Sequence, residues 1–265
     1  MLKMVSGKRI RLSRITKNGR MLCIPMDHGV SIGPINGLDS ISETIGKIQE
    51  GGASSVLVHK GIIRSLKWTP NLGLIVHASV STDIGPSPNR KILVSNVKEA
   101  VRMGADAISL HINIGADDEP EMLADLGAVA DEADEWNLPL IGMMYPRGKG
   151  IKNPNDPKTV AHVTRIGAEL GADIVKTVYT GDPDSFRTVV DSCPVPVVIA
   201  GGPRAKTDRD ALNMARAAID SGAIGVTFGR NVFQYKNTKA MVAALAKIVY
   251  DDASVDDALE EFNDG

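Results

Sequence analysis

Eight short apolar runs divide the chain, each with the length and composition of a buried strand. Between them lie Ala- and charge-rich segments with helical periodicity, which include residues 38–49, 96–103, 120–135, 158–170, 183–191 and 208–221. The apolar runs are residues 22–26, 55–59, 73–78, 107–112, 138–144, 174–178, 195–200 and 225–228. Strands that alternate with helices form right-handed parallel units, and eight such units can close on themselves. The pattern therefore predicts an α/β fold, a single (β/α)8 TIM barrel over residues 1–265.

A weak internal repeat supports this count. A Gly-Ala pair precedes the second, fourth, sixth and eighth predicted strands, at residues 52–53, 104–105, 171–172 and 222–223. Each glycine can adopt the left-handed conformation that ends a helix before a tight loop into the next strand. Even spacing of this signal is expected of a barrel built from repeated units.

Composition narrows the class of protein. With 265 residues and 43% hydrophobic content, the chain can bury one large core. A net charge of -2 argues against a dedicated nucleic-acid binder. Cys23 and Cys193 lie in or beside apolar runs and are expected to be buried thiols, typical of a reducing, cytoplasmic compartment. The sequence contains no apolar run long enough to predict a signal peptide or a membrane span.

The two ends of the chain differ in charge. Residues 3–20 are basic and are expected to form a short solvated lead-in that can cover the bottom of the barrel. The acidic segment that begins at Asp251 carries Val255, Leu259 and Phe262 at helical spacing, which favours a solvated or packing helix.

The candidate chemistry lies at the carboxyl ends of the predicted strands, where such barrels place their active sites. The residues there, in strand order, are Asp27, His28 and Gly29; His59, Lys60 and Gly61; His77; His111; residues 145–148; Lys176; residues 201–204; and residues 229–231. Core packing alone does not require so many polar groups in these positions.

Lys176 is the most informative of them, because lysine is rarely buried and this one follows Ile174 and Val175 in a strand. Burial disfavours the ammonium ion, so we expect a lowered pKa and a neutral amine that can attack a ketone to form a Schiff base. The alternative is a structural ion pair with a carboxylate such as Asp27.

The glycine-rich loops after the seventh and eighth strands predict phosphate binding. Gly201, Gly202 and Gly229 allow backbone N–H groups to approach a phosphate closely, and Arg230 can add charge-assisted hydrogen bonds. The alternative is that these glycines only form tight turns.

Other interpretations stay open at this point. Tyr145 can make a purely structural hydrogen bond, Asp27 can cap a helix, and His28 can serve either the substrate or its own loop. His59, His77 and His111 can hold zinc in a metal-dependent aldolase or hydrolase. A non-catalytic sugar-phosphate-binding barrel is a further alternative, although it leaves a buried Lys176 unexplained.

Five segments resemble the archaeal class I aldolase family: residues 25–31, 143–148, 172–177, 200–203 and 229–233. The resemblance runs from about residue 9 to residue 231 and the helix beyond. It implies that Lys176 forms the Schiff base, that Tyr145 is the proton donor, and that Asp27 is the proton acceptor. It also implies no metal or other cofactor, and a substrate site of Asp27, His28, Gly29, Val30, Ser31, Tyr145, Pro146, Arg147, Lys176, Gly201, Gly202, Gly229 and Arg230.

Within that family the residues are most similar to members that catalyse a transaldolase-type reaction. The resemblance then implies 6-deoxy-5-ketofructose 1-phosphate as donor and L-aspartate semialdehyde as acceptor, early in the alternative archaeal route to 3-dehydroquinate and aromatic amino acids. Class I fructose-bisphosphate aldolase uses the same residues and remains the alternative. Either substrate pair needs a second cationic site, for which Lys60, Arg147 and Lys149 are candidates. The family also implies a homo-oligomer, often a decamer.

Overall fold

The computed structural model describes residues 6–263 and confirms the predicted α/β barrel. The strands are β1 (Met21–Pro25), β2 (Ser55–Val58), β3 (Gly73–His77), β4 (Ser79–Val80), β5 (Ile92–Leu93), β6 (Ala107–Ile114), β7 (Leu140–Pro146), β8 (Ile174–Thr177), β9 (Val197–Ala200) and β10 (Gly225–Thr227). All except β4 and β5 form a closed parallel barrel, in the order β1-β2-β3-β6-β7-β8-β9-β10 and back to β1.

Helices follow the barrel strands and cover its outside. They are α1 (Gly7–Ile15), α2 (His28–Ile32), α3 (Ile41–Glu50), α4 (Lys60–Ser65), α5 (Val97–Arg102), α6 (Glu119–Glu135), α7 (Pro157–Glu169), α8 (Pro183–Ser192), α9 (Asp208–Asp220), α10 (Arg230–Phe233), α11 (Thr238–Asp251) and α12 (Val255–Leu259), with a 3-10 turn at Glu260–Phe262. Local sequence explains where α7 and α8 begin. Asp156 and Asp182 accept hydrogen bonds from backbone N–H groups of the first turn, and a proline occupies the first helical position of each.

Strand boundaries differ from the prediction by up to two residues, and one difference concerns function. β7 continues to Pro146, so Tyr145 lies within the strand and pairs in register with Asn113 of β6. The polar Asn113 interrupts the apolar run in the sequence, but it is fully buried inside the sheet.

The basic N-terminal segment is mostly exposed to solvent, and it lies at the amino-terminal end of the barrel. From Gly7 it folds as α1, and Ile15 at the end of this helix is completely buried against the strand starts of the barrel interior, among them Met21 and Ile75. Arg14 pairs with Asp106 beside the helix. Helix α1 therefore closes the amino-terminal end of the barrel. Lys3 lies outside the described residues.

The C-terminal segment packs as a helix. Helix α11 lies against α9 and α3, and the acidic α12 begins with a capping box formed by Ser254 and Asp257. Val255, Leu259 and Phe262 pack against the main core cluster. Among residues 6–263, no helix has the length and apolar character of a membrane span.

We predict that Ile15→Ala destabilises the protein by about 2 to 5 kcal/mol, because it removes a buried side chain from the closed end of the barrel. Ile10→Ala is the matched control, since Ile10 lies on the same helix and is 47% exposed; it should change the free energy of unfolding by less than about 0.5 kcal/mol. Urea unfolding measures both. Equal effects of the two variants would show that α1 does not close the core.

Candidate active site

A cavity of about 700 Å³ opens at the carboxyl ends of the barrel strands. It brings together most of the residues predicted from the sequence, although they are separated by up to 203 positions in the chain. Those that line it are Asp27, His28, Ser31, Tyr145, Arg147, Lys176, Gly201, Gly202, Gly229 and Arg230.

Gly29, Val30 and Pro146 do not line this cavity. Pro146 is buried at the end of β7, whereas Gly29 and Val30 face a second cavity, largely apolar and about 770 Å³ in volume. The short helix α2 turns successive residues to different sides, so His28 and Ser31 face the first cavity while Gly29 and Val30 face the second. The sequence motif alone does not reveal this division.

Lys176 lies near the end of β8 and its side chain is only 4% exposed. Burial disfavours its ammonium ion, but the neighbouring Tyr145 and Asp27 outweigh burial, so the pKa of Lys176 is raised above its ordinary value. The expectation of a lowered pKa was therefore wrong in sign, because it considered burial without the acidic groups nearby. The resting amine is an ammonium ion.

Asp27 occupies the N-cap position of α2, yet its side chain makes no capping hydrogen bond. One carboxylate oxygen lies 3.6 Å from His28 Nδ1 and the other lies 3.8 Å from His77 Nε2. Burial would raise the pKa of Asp27, but the imidazoles beside it, chiefly His77, and the Lys176 ammonium hold it well below its ordinary range. Asp27 is therefore a carboxylate that faces the cavity.

His77 is a neutral ring. Burial lowers its pKa to about 3, so the charged group that faces Asp27 at neutral pH is the Lys176 ammonium. The Nδ1 atom of His77 lies 2.8 Å from the Ser109 hydroxyl, and the ring centroid lies 5.2 Å from that of His59. These contacts fix the ring that borders the carboxylate.

The three strand-end histidines proposed as zinc ligands have other partners. His59 Nδ1 donates to the His77 carbonyl oxygen at 3.1 Å, since that oxygen can only accept. His111 Nε2 lies 2.8 Å from the Asn113 side-chain oxygen. Within residues 6–263, no three His, Cys, Asp or Glu side chains are arranged to hold a metal ion.

Tyr145 is buried with 8% exposure, and its hydroxyl is within hydrogen-bonding range of the Lys176 amine. Its ring contacts the His111 ring at 4.7 Å between centroids, and the Arg147 guanidinium lies 5.6 Å from the ring centre. The phenol therefore has a fixed ring and a hydroxyl close to the amine, as proton transfer requires.

The loops after β9 and β10 form a glycine-lined wall of Gly201, Gly202 and Gly229. A Cβ atom on Gly229 would lie 2.6 Å from His28 Cε1, so only glycine fits there, and Gly202 has a positive φ of 64°. Arg230 donates to the Gly202 carbonyl at 3.0 Å, while its Nε is buried without a partner among the described residues. This wall offers hydrogen-bond donors and a positive charge to an anion.

Sequence reasoning missed part of the cavity. The segment between β3 and α5 folds back as the antiparallel pair β4–β5 and brings Asp83, Asn89 and Lys91 to the rim. The dense turn residues of 81–91, directly after a barrel strand, were the available signal. Asn155 and Tyr179 also line the cavity and were not predicted.

Together, the closed barrel and a buried lysine that faces a cavity at its carboxyl end define a lysine-centred class I aldolase type of site. A family model described as DeoC/LacD family aldolase matches residues 21–235. The chain belongs to this family, which confirms the resemblance found in the sequence.

Individual relatives narrow the comparison. The chain is 44% identical over 257 residues to 2-amino-3,7-dideoxy-D-threo-hept-6-ulosonate synthase of Halobacterium salinarum, covering 96% of each chain. It is 40% identical over 248 residues to 2-amino-4,5-dihydroxy-6-oxo-7-(phosphonooxy)heptanoate synthase of Streptomyces griseus, covering 92% of this chain and 90% of that one. It is also similar to a solved archaeal fructose-1,6-bisphosphate aldolase whose catalytic lysine is bound to the carbinolamine intermediate. That likeness has a TM-score of 0.86 and 31% identity, over 92% of this chain and 100% of the other.

The neutral His77 predicts a pH dependence of stability. Unfolded histidine takes up a proton near pH 6.5, whereas folded His77 does so only near 3. Between these values the unfolded state binds more protons, so stability falls as the pH falls. When the pH is lowered from about 7.5 to about 5, the free energy of unfolding should fall by roughly 2 kcal/mol more in the wild type than in His77→Gln.

Urea unfolding at both pH values measures this difference. His162→Gln is the matched control, because His162 is exposed on α7 and should leave the wild-type slope unchanged. If the free energy of unfolding of His77→Gln changes with pH as much as that of the wild type, His77 is not a neutral, buried ring.

Proposed function

We propose that this protein is a 2-amino-3,7-dideoxy-D-threo-hept-6-ulosonate synthase. It would transfer a three-carbon unit from 6-deoxy-5-ketofructose 1-phosphate to L-aspartate semialdehyde through a Schiff base on Lys176. The observation that carries the proposal is the buried Lys176 amine, which shares a cavity for a sugar-sized molecule with Tyr145 and Asp27. The Halobacterium salinarum relative, with this activity in its name, supports it across nearly the whole chain.

The first half of the reaction forms the imine. Because Lys176 rests as an ammonium ion, it must release a proton before its nitrogen attacks the methyl ketone. We propose that Asp27 accepts that proton, directly or through water, and that Tyr145 protonates the ketone oxygen as it becomes a hydroxyl. Loss of water then yields the imine, whose positive nitrogen draws electrons from the carbon–carbon bond to be broken.

Cleavage of the bond between the third and fourth carbons releases hydroxypyruvaldehyde phosphate. The hydroxyl proton lost in this step goes to a base in the cavity, and the three-carbon enamine stays on Lys176. The enamine carbon then attacks the aldehyde of L-aspartate semialdehyde, whose oxygen takes up a proton. Water hydrolyses the new imine, frees the seven-carbon product and restores the lysine, so the water lost earlier is regained.

The remaining predicted residues would bind the substrates. We propose that the glycine-lined wall with Arg230 contacts the lysine-bound side of the ketose, with Ser31 at the rim. Ser31 is held there because its hydroxyl donates to the Ser81 carbonyl at 3.1 Å.

Class I fructose-bisphosphate aldolase is the second candidate, supported by the fold and lysine chemistry of the solved archaeal aldolase. We rank it lower because its 31% identity is below the 44% and 40% of the two synthases. We also propose a cytoplasmic enzyme, in keeping with the free thiols of Cys23 and Cys193, and the homo-oligomeric, decameric assembly implied by the family resemblance.

We predict that borohydride and 6-deoxy-5-ketofructose 1-phosphate will trap a covalent adduct on Lys176, since hydride reduces an imine to a stable amine. Peptide mass mapping should locate the adduct there, and Lys176→Ala should form none. Lys98→Ala is the control, because Lys98 is exposed on α5.

In a separate reaction without borohydride, L-aspartate semialdehyde added to the wild type and the ketose phosphate should take up the three-carbon unit from the enamine and yield the seven-carbon product. An adduct on another lysine, or none while activity persists, would contradict the mechanism. Turnover without borohydride that occurs with glyceraldehyde 3-phosphate but not with L-aspartate semialdehyde would favour the aldolase.

A further inference from the structure

Two cationic side chains that border the cavity lie on the opposite side of Lys176 from the glycine-lined wall. Lys91 directly precedes β5, and Arg147 directly follows β7. The glycine-lined wall follows β9 and β10, whereas Lys91 and Arg147 belong to the side of β3, β6 and β7. Lys176, on β8, therefore lies between two separate cationic regions.

Lys91 is held in place by its own loop. Its amine donates to the Ser81 hydroxyl, which in turn donates to the Pro88 carbonyl at 2.6 Å. The buried Asn113 anchors the same loop by donating to the Asn89 carbonyl at 2.8 Å. The charge of Lys91 is thus fixed at the cavity and does not move freely in solvent.

These two cations have no carboxylate in direct contact within the part of the chain that the structure describes. Burial and, to a smaller extent, the like charge of Arg147 lower the pKa of Lys91, and together they outweigh the carboxylates of Asp27 and Asp83, which raise it. In the described part of the chain, neither Lys91 nor Arg147 has a carboxylate oxygen within 4.0 Å. The other lysines considered from the sequence differ, because Lys60 pairs with Glu99 and Lys149 pairs with Asp117.

The proposed reaction needs an anion site on one side of the broken bond. The donor carries its phosphate on the fragment that leaves, and the acceptor brings its carboxylate to the same side of the enamine. In the donor imine, a chain of bonds runs from the imine carbon to the phosphorus. In the product imine, the chain from the imine carbon to the carboxylate carbon is one bond shorter. One cationic pair can therefore bind both groups in turn.

We propose that Lys91 and Arg147 form an acceptor-side anion subsite, which binds the phosphate of the departing aldehyde and then the carboxylate of L-aspartate semialdehyde. This inference rests on the proposed function. It follows that the phosphorylated aldehyde must leave before the acceptor enters, and that inorganic phosphate competes with the acceptor. A phosphate on the carbon next to the ketone, as in fructose 1-phosphate, would instead bind at the glycine-lined wall.

The test compares a charged with an uncharged acceptor. In Lys91→Met, the ratio of kcat/KM for L-aspartate semialdehyde to that for propanal should fall roughly 10- to 100-fold, as expected for one hydrogen bond between charged groups. Lys91→Arg keeps the charge and should retain the ratio within a few-fold. Lys149→Met, which removes an exposed lysine outside the cavity, should retain the wild-type ratio.

A second pair of substrates separates failure of the subsite from failure of the proposed function. If the wild type does not use L-aspartate semialdehyde, the proposed function fails, but the subsite is still tested by cleavage of fructose 1,6-bisphosphate against fructose 1-phosphate. These differ only in the distal phosphate, so Lys91→Met should lower their kcat/KM ratio. If Lys91→Met lowers kcat/KM equally for the charged and the uncharged partner, Lys91 only positions its loop. That result, or no change in the kcat/KM ratio of either pair, would overturn the subsite.

Discussion

Lys176 places an ammonium ion inside a closed barrel whose interior is otherwise largely apolar. Removing such a charge from water is strongly unfavourable unless an opposite charge lies close by. The Asp27 carboxylate supplies this negative charge from the end of β1, and the Tyr145 side chain on the neighbouring strand β7 adds a hydrogen-bonding partner. The raised pKa of Lys176 is the result of this balance, and it makes the positions of both partners a requirement of the folded state.

The surroundings of Asp27 follow from the same requirement. A carboxylate at a helix N-cap ordinarily accepts backbone hydrogen bonds, but Asp27 leaves α2 uncapped and faces the cavity. The neutral His77 borders it without adding a second full charge, and the Ser109 hydroxyl fixes that ring. The carboxylate thus keeps its negative charge for the ammonium. This arrangement gives up helix stabilisation at α2 in favour of the site, as expected where function and local stability compete.

The sequence was sufficient for the barrel and for the central residues of the site, and insufficient for their electrostatics. Parallel strands are buried on both faces, so they appear as apolar runs, and Lys176, Tyr145 and Asp27 are among the polar residues at the ends of those runs. The family resemblance, not the pattern, singled out Tyr145 and Asp27. Lys91 escaped because its approach depends on Ser81, Asn89 and Asn113, contacts that only the folded β4–β5 segment creates. The direction of the Lys176 pKa shift could not be predicted for a related reason. A strand pattern predicts burial, but it does not predict the distance to a carboxylate.

A protonated lysine at rest also shapes the chemistry proposed here. Anions bound at Arg230 or beside Lys91 would stabilise the ammonium ion further, so substrate binding alone cannot supply the neutral amine. The proton must move as the ketone reacts, from the lysine to a base and from an acid to the ketone oxygen. Asp27 and Tyr145 line the same cavity as the amine, and we propose them for these two transfers. Hydrolysis of the final imine reverses both transfers, so the cycle needs no net proton from solvent and returns Lys176 to the ammonium form.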